Sequence, residues 1–273
     1  MARRWRIPLA TLVLTLGSMF AAATSASAAP AGHQSGHAVT TPSGFQPGGR
    51  MIRPGGVDNV TTRAGHTTAQ STNWSGYAVT GGTGAFTSVS ASWTEPTATC
   101  SGHGNKYSSF WAGLDGYNSG SVEQTGTDAD CSGSTPVYYG WYEMYPAFPV
   151  NFSNPVRPGD SMSASVTFSG SSTFTLVLKD ATQGWTQNIV QSQTGLARSS
   201  AEVITEAPSS TRGVLPLANF GTVTYSVSSA NGTSLGTQNP IQIIMVDNSG
   251  KQKDSTSAIN SMGGFSNTWL RST

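Results

Sequence analysis

From Ser71 to the C-terminus, apolar and polar residues alternate in short runs separated by turn residues. A period of two is the mark of half-buried β-strands. The pattern predicts strands over Asn73–Val79, Ser88–Thr94, Ser108–Asp115, Ser121–Gly126 and Val137–Tyr145. It continues over Ser161–Phe168, Phe174–Lys179, Gln187–Gln191, Ala201–Thr205, Gly221–Val227 and Ile241–Val246, and closes with Asn267–Arg271. Gly81-Gly82-Thr83-Gly84, Asn231-Gly232 and Asn248-Ser249-Gly250 mark turns, since Gly and Asn reach the backbone angles that tight turns need. Long amphipathic helical patterns and repeats of fixed period are absent. Many short strands at this spacing predict an all-β fold, two antiparallel sheets packed as a sandwich or jelly roll.

Residues two and four apart on a strand share a face. In SAEVITEAP (Ser200–Pro208), Glu202, Ile204 and Glu206 therefore point one way, and Val203 and Thr205 the other. Asp, Glu, Lys and Arg make up only 10% of the chain, so two acids on one short apolar run stand out. Such a pair suits acid/base chemistry; it equally suits a solvated face.

The N-terminus has a different grammar. Met1–Arg6 carries three arginines, Ile7–Ala23 is mostly apolar, and Ala26-Ser27-Ala28 forms a cleavage site for residues 1–28 as a secretory signal peptide. The apolar stretch is short for a membrane span, and no later run reaches about 18 apolar residues. An exported protein without a membrane anchor is expected. Residues 29–66 are rich in Pro, Gly and His, with Arg50, Arg53 and Arg63 against Asp58. From Thr67 to Thr273 there are eight Lys or Arg against twelve Asp or Glu, a net charge of −4. A basic segment therefore precedes an acidic domain. It reads either as a flexible linker or as a propeptide that covers an acidic cleft and inhibits it. Cys100 and Cys131 in an exported chain are expected to form a disulfide, adding about 3–4 kcal/mol by the chain-entropy argument.

Much familiar chemistry is missing from this domain. Beyond residue 67 the one histidine is His103. The G-x-S-x-G match at Gly232–Gly236 has no histidine after it, so it reads as a hairpin loop. No metal-binding, phosphate-binding or dinucleotide motif occurs, and no basic aromatic patch points to nucleic acid. Neither a cofactor nor a metal is expected. The reactive groups that remain are carboxylates, amides and hydroxyls.

Six segments then fall in a recognisable order. They are NWSGY (Asn73–Tyr77), FWAGLDG followed by VEQTG (Phe110–Gly116, Val122–Gly126), WYEMYP (Trp141–Pro146) and SAEVITEAP with PLANFGTVTY (Ser200–Pro208, Pro216–Tyr225). The set resembles the glutamic peptidases, or eqolisins, the scytalidoglutamic peptidase family, over about residues 70 to 227. The resemblance implies a concanavalin A-like sandwich and a secreted acid endopeptidase acting on proteins or peptides as a monomer. It also implies a catalytic pair of Gln124, in the Q-T-G motif, and Glu206, the second acid of A-E-x-x-x-E, with Glu202 beside it. Trp111, Asp115, Trp141 and Glu143 correspond to positions lining the cleft.

The residue types fit that chemistry. Glu206 would take a proton from water and return it to the leaving nitrogen, while the Gln124 carbonyl holds the water and its NH₂ faces the oxyanion. Gln124 carries no charge, so Glu206 is expected to stay ionised in acid. A hydrogen bond between Glu143 and Asp115 is expected to tune the pair. The chain departs from the family pattern at Val203 and at Ala207-Pro208, which flank the glutamates. Two other readings use the same residues. One is a carbohydrate-binding protein or glycoside hydrolase built on Glu143 and Glu206; the other is an inactive relative that binds peptides.

Overall fold

The computed structural model describes residues 58–63 and 66–273. The signal peptide and most of the basic segment lie outside the described residues. In chain order the strands begin β1 (Asp58–Arg63), β2 (His66–Ser71), β3 (Trp74–Thr80), β4 (Ser88–Thr94), β5 (Ser109–Leu114), β6 (Val122–Ser132) and β7 (Thr135–Tyr145). Next come β8 (Val150–Asn151), β9 (Ser161–Gly170), β10 (Thr173–Asp180), β11 (Trp185–Ser192), β12 (Ser200–Glu206), β13 (Ser209–Ser210) and β14 (Gly213–Val214). The series ends with β15 (Thr222–Ala230), β16 (Thr233–Ser234), β17 (Ile241–Met245), β18 (Asp254–Thr256) and β19 (Phe265–Trp269). Among the described residues no helix is long and apolar enough to cross a membrane.

Two large sheets face each other. The first runs β1-β2-β17-β3-β12-β5-β6-β7-β8, and the second β11-β10-β9-β4-β15-β19-β18 with β16 paired to β15. Every pairing in the two sheets is antiparallel except β2 with β17. Alternation sets the layers. Phe110, Ala112, Leu114, Ala201 and Val203 meet Val89, Trp93, Val166, Leu176 and Tyr225 in one core between the sheets. The opposite face of the first sheet carries a second apolar layer, which includes Trp74, Trp111, Trp141, Ile204 and Ile243. Strands β5 and β12 are therefore buried on both faces, and in FWAGL period two is hidden by apolar residues on both sides. The outer face of the second sheet is different. It is a hydroxyl array, with Ser90 against Ser229 at 2.8 Å, Thr222 against Thr268 at 3.0 Å and Thr224 against Ser266 at 3.0 Å.

Two departures from the strand reading have physical causes. Strand β6 continues six residues past Gly126, because the polar stretch TDADCS is buried and not turned out. Cys131 in this extension is joined to Cys100, with Cα atoms 5.4 Å apart. Strands β1 and β2 fall in or beside the segment read as a linker. Their sequences, DNVTTR and HTTAQS, hold few apolar residues and so carry little period-two signal, while their backbones pair β1 with β2 and β2 with β17.

Charge is arranged unusually. Eleven of the twelve acids between residues 67 and 273 are buried, and among the described residues the one ion pair joins Arg271 to Asp247. Glu95 lies in the inter-sheet core, accepting from Trp93 Nε1 at 3.2 Å and Thr127 Oγ1 at 2.5 Å. Burial pushes its carboxyl up to about 8. Asp254 accepts from Ser75 Oγ, and burial pushes it up to about 7 even with Lys253 beside it. A carboxyl with a raised folded pKa binds its proton more tightly folded than unfolded. Its stabilisation is complete below the ordinary carboxylate range and is lost as pH rises through the raised value. The urea midpoint is therefore expected to be highest in acid and to fall as pH climbs through about 7 to 8. Glu95→Gln and Asp254→Asn should each flatten that fall; a midpoint that rises with pH over this range would contradict the assignment.

Candidate active site

Three rows of side chains cross the second face of the first sheet. Register aligns Glu206 on β12 with Ser109, Asp128 and Tyr139 on β5, β6 and β7. The next row on that face is Ile204, Trp111, Gly126 and Trp141, and the one beyond is Glu202, Gly113, Gln124 and Glu143. Six of the residues expected at a site, Gln124, Glu206, Trp111, Trp141, Glu143 and Glu202, therefore share one surface.

Glycines make this surface possible. A Cβ on Gly126 would stand 2.6 Å from Trp111 Cβ and would also strike the Phe110 carbonyl. The glycine of the Q-T-G motif is thus the seat of the Trp111 side chain. On Gly113 a Cβ would meet both Gln124 Cβ and Trp111 Cζ3 at 3.0 Å. The indole consequently lies between the two outer rows. Its Nε1 donates to Glu206 Oε2 at 2.8 Å, and its far ring edge lies over Gly113 toward Gln124. Trp74 packs on it edge-on, ring centroids 5.0 Å apart.

Glu206 is held from two sides. Asn73 Nδ2 donates to its other oxygen at 3.2 Å, and Asn73 is itself fixed by Ser71 Oγ at 3.1 Å. Burial pushes the Glu206 carboxyl up to about 8; the Trp111 bond works against this, and the charges of Glu143 and Asp128 add to it. This corrects the expectation of an ionised Glu206 in acid. The uncharged Gln124 does spare it one repulsion, but desolvation outweighs that gain. Gln124 Nε2 donates to Glu143 Oε2 at 2.5 Å, and its Oε1 is buried without a protein donor. Burial likewise pushes Glu143 up to about 7. No hydrogen bond joins Gln124 to Glu206. They lie on strands separated by β5, two rows apart, with Trp111 in the row between them.

Other expected residues take different places. Asp115 does not bond Glu143. It has a left-handed φ of 66° and accepts from Arg198 N at 2.7 Å and Ser199 N at 2.9 Å, holding the turn that enters β12. Glu143 is committed to Gln124, so the expected Glu143–Asp115 proton is absent. Glu202 accepts from Tyr117 N at 3.3 Å, and burial raises its carboxyl well above the usual range. Trp141 donates to Asp128 Oδ1 at 2.6 Å. Asn73 and Asp128 were not foreseen as site residues. Asn73 stood in a quoted motif, and Asp128 has the parity of Gln124 four residues on. Among the described residues no group of His, Cys, Asp and Glu is arranged to hold a metal ion. What the arrangement offers is a buried protonated carboxyl and a free amide carbonyl facing one surface.

The Peptidase A4 family profile matches residues 72–266. Aspergillopepsin-2 of Aspergillus niger is 28% identical over 193 residues, covering 61% of this chain and 67% of its own. A scytalido-glutamic peptidase crystallised with a transition state analog inhibitor superposes with a TM-score of 0.63 at 26% identity, over 73% of this chain and 98% of its own. Aspergilloglutamic peptidase from Aspergillus niger shares the fold, with a TM-score of 0.52 at 22% identity, over 60% of this chain and 99% of its own.

Gly126→Ala should displace Trp111 and cost about 1–3 kcal/mol, the usual penalty of overpacking. Urea unfolding measures that cost, and a shift in tryptophan emission reports the displacement. A variant as stable as the parent would mean the indole does not need the glycine.

Proposed function

The chain belongs to the Peptidase A4 family, a family of peptide-bond hydrolases, and on that premise we propose that Gln124 and Glu206 are its catalytic pair. The observation that carries the reading is the Trp111 bridge. One indole donates to Glu206 and extends toward Gln124, whose Oε1 is left for a water. Protein and peptide substrates would lie across the three rows. Family membership replaces the carbohydrate reading of the same carboxyls.

Glu206 holds a proton in acid, and the reaction is built from that state. Water hydrogen-bonded to Gln124 Oε1 attacks the scissile carbonyl carbon. The Glu206 proton passes to the carbonyl oxygen, and the carboxylate so formed takes a proton from the attacking water. A neutral gem-diol results, and Glu206 is protonated again. It then gives its proton to the amide nitrogen as the C–N bond breaks, and a diol hydroxyl returns one. Acid and amine products leave the enzyme as it began. Gln124 donates one N–H to Glu143 and has a second for the diol. Glu206 thus serves as acid and as base, and Gln124 as the positioner of the water and the diol.

The reading extends to the life of the chain. Export by residues 1–28 would bring it to an acidic exterior, with residues 29–66 as an inhibitory propeptide and residues 67–273 as the acting monomer. Trimming inside His66–Ser71 would cut into β2. That strand is paired on both edges and buries Ala69 and Ser71, so release before β2 is favoured.

Digestion of casein or haemoglobin should be fastest in acid and fall as pH rises through about 7 and 8, where Glu143 and Glu206 lose their protons. Glu206→Gln and Gln124→Ala should each lower kcat by about 10²–10⁴-fold; an undiminished Glu206→Gln would overturn the pair. N-terminal sequencing of the acid-trimmed enzyme should begin at or before His66, and the untrimmed chain should be less active. A start beyond Ser71, or equal activity of the two forms, would remove the propeptide.

A further inference from the structure

Tyr139 meets two carboxyl groups with one hydrogen. Its Oη lies 2.8 Å from Asp128 Oδ2 and 2.8 Å from Asp130 Oδ2. A phenol has a single O–H to give, so it donates to one carboxyl and turns a lone pair to the other. All three side chains are buried. Were both acids ionised, one anion would face that lone pair away from water, which is costly. The geometry is satisfied when one carboxyl keeps a proton and donates it to Oη, while Oη donates to the other.

The remaining partners give the chain its direction. Asp128 Oδ1 accepts from the Trp141 indole at 2.6 Å. Asp130 Oδ1 accepts one backbone bond, from Ser108 N at 3.0 Å. Each carboxyl has one further donor, and the shorter bond falls on Asp128, so negative charge rests there and the proton on Asp130. Burial and the Asp128 charge raise the Asp130 carboxyl well above its usual range, in agreement. The other ionisable groups around the pair are Glu95 after β4, Glu143 on β7 and Glu206 on β12. Lys106 sits at the backbone bridge to Cys131.

We propose that Asp130, Tyr139 and Asp128 share a single proton, and that this chain positions Trp141 and fixes the charge beside Glu206 during peptide hydrolysis. In their row only Ser109 stands between Asp128 and Glu206. With the proton in place, Asp130 donates to Tyr139, Tyr139 donates to Asp128, and Asp128 holds the Trp141 indole. Trp141 is two strands from Trp111 in the middle row, with Gly126 between them. When the proton leaves, two carboxylates compete for one phenolic hydrogen, and a second negative charge appears near Glu206. The inference rests on Glu206 as the proton carrier.

The test separates the two ends of the chain. Asp130→Asn puts an amide N–H where the acid O–H stood, so it should keep most of the acid activity and carry it to higher pH. Asp128→Asn should lower kcat about 10- to 100-fold, the worth of a charge-assisted hydrogen bond, with KM little changed. Tyr139→Phe should lower kcat and alter the pH profile; it changes no charge and supplies the reading where an aspartate variant does not fold. Equal effects of Asp130→Asn and Asp128→Asn, or the reverse order, would overturn the proposal. A Tyr139→Phe profile superimposable on the parent's would do the same. Tryptophan emission titrated in a Glu206→Gln background reads the shared proton without catalysis. There a pH step beyond the one that Trp93 reports from Glu95 should be present and should vanish with Asp130→Asn; a step that persists sinks the chain whatever Glu206 does. A step that vanishes while Glu206→Gln remains active sinks only the role of Glu206.

Discussion

Nine of the eleven buried acids have carboxyls raised above their ordinary range, and without a matching set of buried cations the proton is their counter-charge. Burying a carboxylate is expensive unless it is paired or neutralised. Among the eight Lys and Arg from Thr67 on, Lys253 acts on Asp254 and Arg198 on Glu123. Tryptophan takes much of the place that arginine holds elsewhere. Trp93, Trp111 and Trp141 each give an indole N–H to a buried carboxyl, at Glu95, Glu206 and Asp128. An indole supplies a donor and a large apolar surface together and stays uncharged at any pH. The same side chains thus build the apolar layer of the first sheet and hold its acids. The proposed acid chemistry and this interior make one demand on the buried carboxyls, since the group proposed to react and the groups that hold the sheets each need a proton or a donor.

Alternation carried most of the fold in the sequence. Ser88–Thr94 was read with its observed ends, and ten other runs fall on strands with ends shifted by a few residues. Face assignments also followed from parity, which put Glu202 and Glu206 together and Trp141 with Glu143. Register did not. Which residue of β6 stands opposite Gly113 depends on pairing across strands, and that decides that Gln124 meets Glu143 while Glu206 stands level with Asp128. Polar runs were legible only as turns. TDADCS turned out to be strand because its acids are protected by Tyr139 and Trp141, partners from another strand that no local pattern announces. The family resemblance named the proposed reactive pair. It did not reveal that the interior would hold Glu206 protonated, since burial is a property of the assembled sheet.

An amide as the partner of a carboxyl has a clear advantage in such an interior. A second acid near Glu206 would add one more raised carboxyl to a region already containing Asp128 and Glu143. Gln124 offers an acceptor and a donor in one group and does not titrate. Its bond to Glu143 also fixes which end of the amide faces outward.

The hydroxyl-covered face of the second sheet bears on how the molecule meets its surroundings. Ser and Thr neither gain nor lose protons across the range in which carboxylates titrate. With the acids folded inward, acidification leaves that outer wall electrically as it was and adds little to the self-repulsion that swells ordinary proteins at low pH. Between vinegar and neutral buffer the charge of this wall of hydroxyls therefore stays the same.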